Sequence, residues 1–314
     1  MSTRTLLWVI FGAVVVLMMV LDLGVFHRRK HEVRFKEAAL WTIVWIFLAL
    51  GFAGLIAYKR GANSSLEFLT GYIIEESLSV DNLFVFLLIF SYFAVPSIYQ
   101  HSVLFWGIIG AMALRAVFIL TGVALIEKFE WVIYVFGAIL LVSGVKMALE
   151  KEKRLHPESN PVLRLFRKLM PVTKDYQGGK FLVRREGRTF ATPLLLVLLV
   201  IETTDLIFAV DSIPAVLAIT RDRLIVYTSN IFAVLGLRSL YFALKGAMDM
   251  FHRLHYGLSV ILVFVGAKMI LSHYFQIPIG VALSVVAAIL IVSIAASLIW
   301  PEKKSDQRTS MQSP

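Results

Sequence analysis

Two octapeptides carry the side chains of this chain that could do chemistry. Glu75-Glu76-Ser77-Leu78-Ser79-Val80-Asp81-Asn82 and Asp205-Leu206-Ile207-Phe208-Ala209-Val210-Asp211-Ser212 share one pattern: an acid, five residues, a second acid, then a small amide or hydroxyl. Each lies within a long apolar stretch. An ionisable side chain at bilayer depth costs roughly 2.5–3.5 kcal/mol on insertion scales, so it usually faces a cavity and marks a function. Glu75, Asp81, Asp205 and Asp211 offer up to four carboxylates; Asn82 and Ser212 add neutral oxygens, and Glu76 and Glu202 stand close by in sequence. Clustered oxygens of this kind suit hard divalent cations such as Mn²⁺, Mg²⁺ and Ca²⁺. Zn²⁺ or Cu⁺ would favour imidazole or thiolate. The seven histidines fall in loops or at the ends of apolar stretches, and there is no cysteine.

Spacing constrains how these acids can meet. A helix turns about 100° per residue, so acids six apart point about 120° away from each other. Both could line one cavity only if it is wide or the helix breaks between them. Pro214 predicts such a break, because it lacks an N–H and frees the Val210 carbonyl beside Asp211. Two arginines, Arg115 and Arg238, also fall in apolar stretches. With four ionised acids they leave a net charge of −2, which one divalent cation or two protons would balance. The bland alternative is that acids and arginines pair only as buried structural contacts. For the arginines alone, a structural role in holding acids is the expectation. Lys146 and Lys268 are expected to snorkel to the interfaces.

The elements that position these residues are apolar throughout. Of the 314 residues 59% are hydrophobic and 17% charged, against about a half and a quarter in soluble domains. That predicts a single all-α, polytopic membrane domain over 1–314. Nine spans can be drawn, at roughly 5–26, 39–58, 66–93, 101–126, 131–149, 191–217, 223–245, 254–273 and 277–300. The first is read as a span and not a signal peptide, since its positive charges follow it and no clear A-x-A site is present. The net charge of +10 does not indicate a nucleic-acid partner, because the basic residues lie in loops. With the N-terminus periplasmic and the C-terminus cytoplasmic, 21 Lys and Arg fall in cytoplasmic segments and six in external ones. That split obeys the positive-inside rule. The long basic loop 150–190 contains 162–170, which alternates apolar and basic residues at helical spacing. It is expected either to lie on anionic lipid headgroups or to be a solvated linker.

The spans also repeat. Ala113-Leu114-Arg115-Ala116-Val117-Phe118 is matched by Gly236-Leu237-Arg238-Ser239-Leu240-Tyr241, and Gly144-Val145-Lys146-Met147 by Gly266-Ala267-Lys268-Met269. Tyr134 and Tyr256 each stand ten residues before the glycine of the latter pair. Three spans followed directly by their copy must cross in opposite senses. The expectation is an inverted 3+3 repeat, 66–149 and 191–273, with peripheral spans one, two and nine, and a substrate site near the midplane. No P-loop, dinucleotide fingerprint or nucleophile–histidine pair suggests an enzyme.

The segments 76–86 (Glu-Ser-Leu-Ser-Val-Asp-Asn-Leu-Phe-Val-Phe), 205–215 (Asp-Leu-Ile-Phe-Ala-Val-Asp-Ser-Ile-Pro-Ala) and 266–269 (Gly-Ala-Lys-Met) resemble the TerC family of integral membrane proteins, and the similarity covers nearly the whole chain. That family was named for tellurite resistance, and several members are associated with Mn²⁺ export. The resemblance implies a bacterial inner-membrane transporter and carries Asp81, Asn82, Asp205, Asp211 and Ser212 over as site residues. A redox role, also attached to the family, finds no support in a chain without cysteine. The expectation is therefore a proton-coupled Mn²⁺ exporter with no permanently bound cofactor. Its ligands are Glu75, Asp81, Asn82, Asp205, Asp211 and Ser212, supported by Glu76, Glu202, Arg115 and Arg238. The alternatives are a stress- or redox-related membrane protein without transport, or a membrane scaffold docking protein partners through 150–190.

Overall fold

The computed structural model describes residues 2–26, 35–149, 160–185, 187–245, 254–272, 274–275 and 277–299; the side chains of 22–26, Asp81 and Pro161 lie outside the described set. Ten helices and one hairpin follow in the order α1 (Thr3–Phe26), α2 (Phe35–Arg60), α3 (Ala62–Tyr92), α4 (Ser97–Lys128), α5 (Val132–Leu149), α6 (Pro161–Leu169), β1 (Leu182–Arg185), β2 (Arg188–Ala191), α7 (Pro193–Leu217), α8 (Arg223–Leu244), α9 (Leu254–Leu271) and α10 (Ile279–Ile299). Every one of the nine apolar stretches is a helix. Seven of them, α1, α2, α4, α5, α7, α8 and α10, are long and apolar enough to cross a bilayer. The other two are α3, whose 31 residues include Glu67, Glu75, Glu76 and Asp81, and the shorter apolar helix α9. The chain is thus a multi-pass membrane protein in which lipid, not water, is the solvent for most exposed side chains.

The bundle is organised around α8, of whose 22 residues 16 are buried, against three of 21 in the peripheral α10. Phe232 of α8 meets Phe11 of α1, Phe52 of α2 and Phe68 of α3 with ring centroids 5.3–6.0 Å apart. Such offset and edge contacts add roughly 0.5–1.5 kcal/mol each to the packing. α3 packs on α8 and α7 on α4, while α5 packs on α9. Contacts fix the relative directions. A Cβ on Gly71 would lie 2.9 Å from Ser229 Oγ and one on Gly236 3.9 Å from Glu76 Oε1, so α3 and α8 run parallel. Gly107 meets Ile201 and Gly122 meets Leu217, so α4 and α7 also run parallel. Gly137 faces Gly266 and Gly144 faces Ser259, so α5 and α9 are antiparallel. At this crossing a Cβ on either Gly144 or Gly266 would come within 2.8 Å of a backbone oxygen of the other helix. Glycine is required there by the close approach of the two backbones.

Polar contacts tie both ends of the bundle. At one end Arg60 donates to Asp222 over 2.5 Å and Arg223 to Glu127 over 2.5 Å. Asp222 also caps α8, accepting from the Leu224 N–H at 2.9 Å. Burial works to raise the pKa of Asp222, but the Arg60 hydrogen bond and charge outweigh it, with the Leu224 N–H adding to them, and hold the carboxyl below its usual range. At the other end Tyr241 and Lys245 of α8 and its C-terminus both donate to Gln100 of α4 over 3.0 Å.

Over its described part the 150–190 loop departs from the expectation of a solvated linker. Residues 160–191 form a folded unit that is neither a solvated linker nor wholly helical. Asn160 caps α6, accepting from Val162 and Leu163 N–H, with proline at the first position of the helix. β1 and β2 pair as an antiparallel hairpin, Leu182 opposite Ala191, around Gly187 at φ 76°. The unit docks through Tyr176, whose hydroxyl donates to the Phe93 carbonyl at the α3–α4 turn, and through Leu163, buried against the first turns of α7. A second correction concerns Pro214. α7 runs unbroken from Pro193 to Leu217 with Pro214 buried inside it. Proline removes one donor, but residues 212–217 are all buried against neighbouring helices, and that packing sustains the backbone through it.

Candidate ion-binding site

The first acids of the two octapeptides meet on one arginine. Arg115, in the middle of α4, is 0% exposed. Its Nε donates to Asp205 Oδ2 at 3.1 Å and its Nη2 to Asp205 Oδ1 at 3.0 Å, a bidentate fork. Its Nη1 donates to Glu75 Oε1 and, at 3.1 Å, to Asn230 Oδ1. Four helices, α3, α4, α7 and α8, are thereby joined at one guanidinium. The expected partnership of buried arginines with acids holds for Arg115, which takes two acids at once. Arg238 is also buried, on α8, beyond Gly236, which lies against Glu76.

The second acid of α7 goes elsewhere. Asp211 accepts from Ser143 Oγ of α5 at 2.6 Å. Asp205 and Asp211 therefore engage different helices, α4 and α5, as their 120° separation on an unbroken helix requires. Ser212 is buried beside Glu75 without forming a well-aligned hydrogen bond to it. Asn82 is buried on α3. Asp81 has its backbone in α3, and its side chain is outside the described set. Among the described residues no three carboxylate or imidazole groups converge closely enough to hold a metal ion. The expected six-ligand cluster is thus two described groupings, one at Arg115 and one at Asp211–Ser143.

Around them lies a band of buried polar atoms that make no hydrogen bond among the described residues. These are one oxygen each of Glu75, Glu76 and Glu202, the hydroxyls of Ser79 and Ser212, and the amide nitrogens of Asn82 and Asn230. Buried polar groups are almost always satisfied, and each exception calls for an explanation. Glu202 presses its carboxylate on Gly110 of α4, and Glu76 lies against Gly236 of α8. A glycine on the facing helix makes room for each acid.

Sequence reasoning missed Asn230 and Ser143. Both carry a signal: a polar residue deep inside an apolar span needs a partner. Which partner depends on helix packing, which no single span reveals. Lys268, expected at the interface, donates to the Ala218 carbonyl at 3.2 Å and so closes the end of α7.

Residues 60–306 match the integral membrane protein TerC family. The chain belongs to that family. It is 52% identical to an uncharacterized membrane protein of Myxococcus xanthus over 93% of this chain and 92% of the relative. It is 45% identical to a protein of Escherichia coli strain K12 carrying the name membrane-bound redox modulator Alx, over 96% and 97% of the two chains. A relative of the same name in Salmonella typhi is 46% identical over 98% of each chain. No solved structure matches. In this TerC protein, two of the acids in the segments that carry the resemblance take part in these contacts: Asp205 at Arg115 and Asp211 at Ser143.

Proposed function

We propose that this TerC protein exports a divalent cation, Mn²⁺ foremost, in exchange for protons, through the band of carboxylates between its helices. One observation carries the reading: buried carboxylate, amide and hydroxyl groups stand without hydrogen-bond partners at the centre of a bundle whose exterior is apolar. Such a band is costly to a purely structural membrane protein and useful to one that passes a cation. Arg115 offsets one of the two charges of Glu75 and Asp205. We assign the cation to the oxygens of Asp211 and Ser212 on α7 and of Asn82 on α3, with Asp81 included by its place in the sequence pattern and Glu76 and Glu202 in support. Hard oxygen donors favour Mn²⁺, Mg²⁺ or Ca²⁺ over softer metals.

The inverted repeat, 66–149 and 191–273, is part of the same proposal. Exchange of the two halves turns the α3–α8 packing into the α7–α4 packing, and both pairs run parallel. A shift of 122 residues carries Gly137 onto Ser259 and Gly144 onto Gly266. The contacts Gly137–Gly266 and Gly144–Ser259 are therefore interchanged, as a two-fold axis demands of a self-complementary interface. The antiparallel packing of α5 and α9 supports an axis across the helices, in the plane of the membrane. The 21-to-6 division of basic residues supports an inner-membrane orientation with a periplasmic N-terminus and a cytoplasmic C-terminus.

The test is metal content in cells lacking the protein. Under Mn²⁺ load they should accumulate Mn²⁺ and be restored by this chain but not by Asp211→Asn. Unchanged Mn²⁺ content would favour a redox-related role, the one in the names of the Escherichia coli and Salmonella typhi relatives, although a chain without cysteine has no dithiol to offer it.

A further inference from the structure

The folded unit 160–191 offers a surface that the transport reading does not use. Around α6, at about 100° per residue, Leu163, Phe166 and Met170 cluster on one side and Val162, Leu165 and Leu169 follow directly beside them. Together they make one continuous apolar arc. Only half of it is covered by protein. Leu163 is 1% exposed and Phe166 packs against the same cluster, while Leu165 is 59% and Leu169 74% exposed. Arg164, Arg167 and Lys168 occupy the opposite arc. The unit has eight basic residues, those three with Lys174, Lys180, Arg184, Arg185 and Arg188, against two acids, Asp175 and Glu186. Leu163 shares a buried cluster with Leu194 and Val197, and α6 packs on α7, whose start at Pro193 follows directly on this unit, so α6 lies by the end at which α7 enters the apolar layer.

We propose that α6 is an interfacial helix that seats Val162, Leu165 and Leu169 at the acyl boundary of an anionic leaflet, with its basic arc among the headgroups. An apolar arc wider than its protein contact, a cationic opposite face and a position level with the end of a span fit a lipid surface. Anionic headgroups attract juxtamembrane cations, each Lys or Arg shifting partition by roughly fivefold at about 1 kcal/mol per charge. A soluble acidic partner would satisfy the charge but leave the leucines beside the bilayer without a role.

The native chain has no cysteine, so single spin labels can be placed cleanly. Full-length protein carrying Leu165→Cys, Leu169→Cys or, as control, Lys174→Cys is reconstituted into phosphatidylglycerol–phosphatidylcholine vesicles and into phosphatidylcholine alone. Collision with oxygen, which concentrates in acyl chains, is compared with collision with a water-soluble nickel chelate. Labels at 165 and 169 should favour oxygen in the anionic vesicles and the label at 174 should favour nickel. Adding Arg167→Glu and Lys168→Glu should shift the 165 and 169 labels toward nickel. Nickel-favouring labels at 165 and 169 in both vesicle types would overturn the proposal and leave the surface to a soluble partner. Oxygen preference unaffected by lipid charge and by the two reversals would overturn the assignment to anionic headgroups.

Discussion

Replacing Arg115 by methionine tests whether the central guanidinium holds the helices together. Methionine keeps the apolar volume and removes every donor. Asp205 loses both arms of its fork, Glu75 loses its cation, and Asn230 loses the donor to its carbonyl. All are buried, so water cannot replace what is lost. Breaking a buried pair by removing one partner costs about 3–5 kcal/mol, because an uncompensated charge remains. Here two carboxylates remain, within electrostatic reach of one another. At roughly 2 °C per kcal/mol for a large domain, the midpoint of thermal unfolding in detergent should fall by about 6–10 °C. Arg115→Lys keeps the charge but cannot reproduce three differently aimed donors, and should fall between the parent and the methionine variant. The triple variant Arg115→Met, Glu75→Gln, Asp205→Asn removes the stranded charges and should recover most of the loss. A midpoint for Arg115→Met within a degree of the parent, or no recovery in the triple variant, would refute the assignment of Arg115 as the clamp.

Other sites yield sharper local outcomes. Ser143→Ala removes the hydroxyl that donates to Asp211 and should cost about 1–3 kcal/mol of stability, read by melting, while Ser143→Thr should retain the bond. Gly144→Val places side-chain atoms where the Ser259 carbonyl lies and should destabilise the α5–α9 crossing by about 1–3 kcal/mol. Because the folded pKa of Asp222 is lowered, its contribution is complete above the ordinary carboxylate range and disappears as pH falls through the folded value. Parent and Asp222→Asn should therefore differ in melting temperature at neutral pH by the Arg60 pair, worth up to about 1 kcal/mol, and converge in strong acid.

Much of this arrangement was legible in the chain. Apolar length marked all nine long helices, and the ends of α3 and α7 fall within four residues of the stretches drawn as 66–93 and 191–217. The acids and Arg115 were visible because charge inside an apolar run is conspicuous. Their pairing was not. Arg115 and Arg238 look equivalent by spacing, yet Arg115 holds both leading acids, a choice made by the packing of α4 on α7 and α8, both of which pack on α3. The hairpin β1–β2 was overlooked although Gly187 supplies its positive φ, since its strands are short and mostly exposed and follow no hydrophobic alternation strong enough to stand out. Pro214 suggested a break that tertiary packing overrides.

The central claim is that the buried oxygens pass a divalent cation against protons, and flux into sealed vesicles measures that directly. Purified protein in liposomes should carry Mn²⁺ at a rate above protein-free vesicles, faster when a pH gradient opposes the metal's movement with protons. Asp211→Asn, at matched reconstitution, should abolish the excess, because the amide keeps shape and one oxygen but not the charge. Mn²⁺ flux by the parent no greater than through empty liposomes under either gradient would contradict the account.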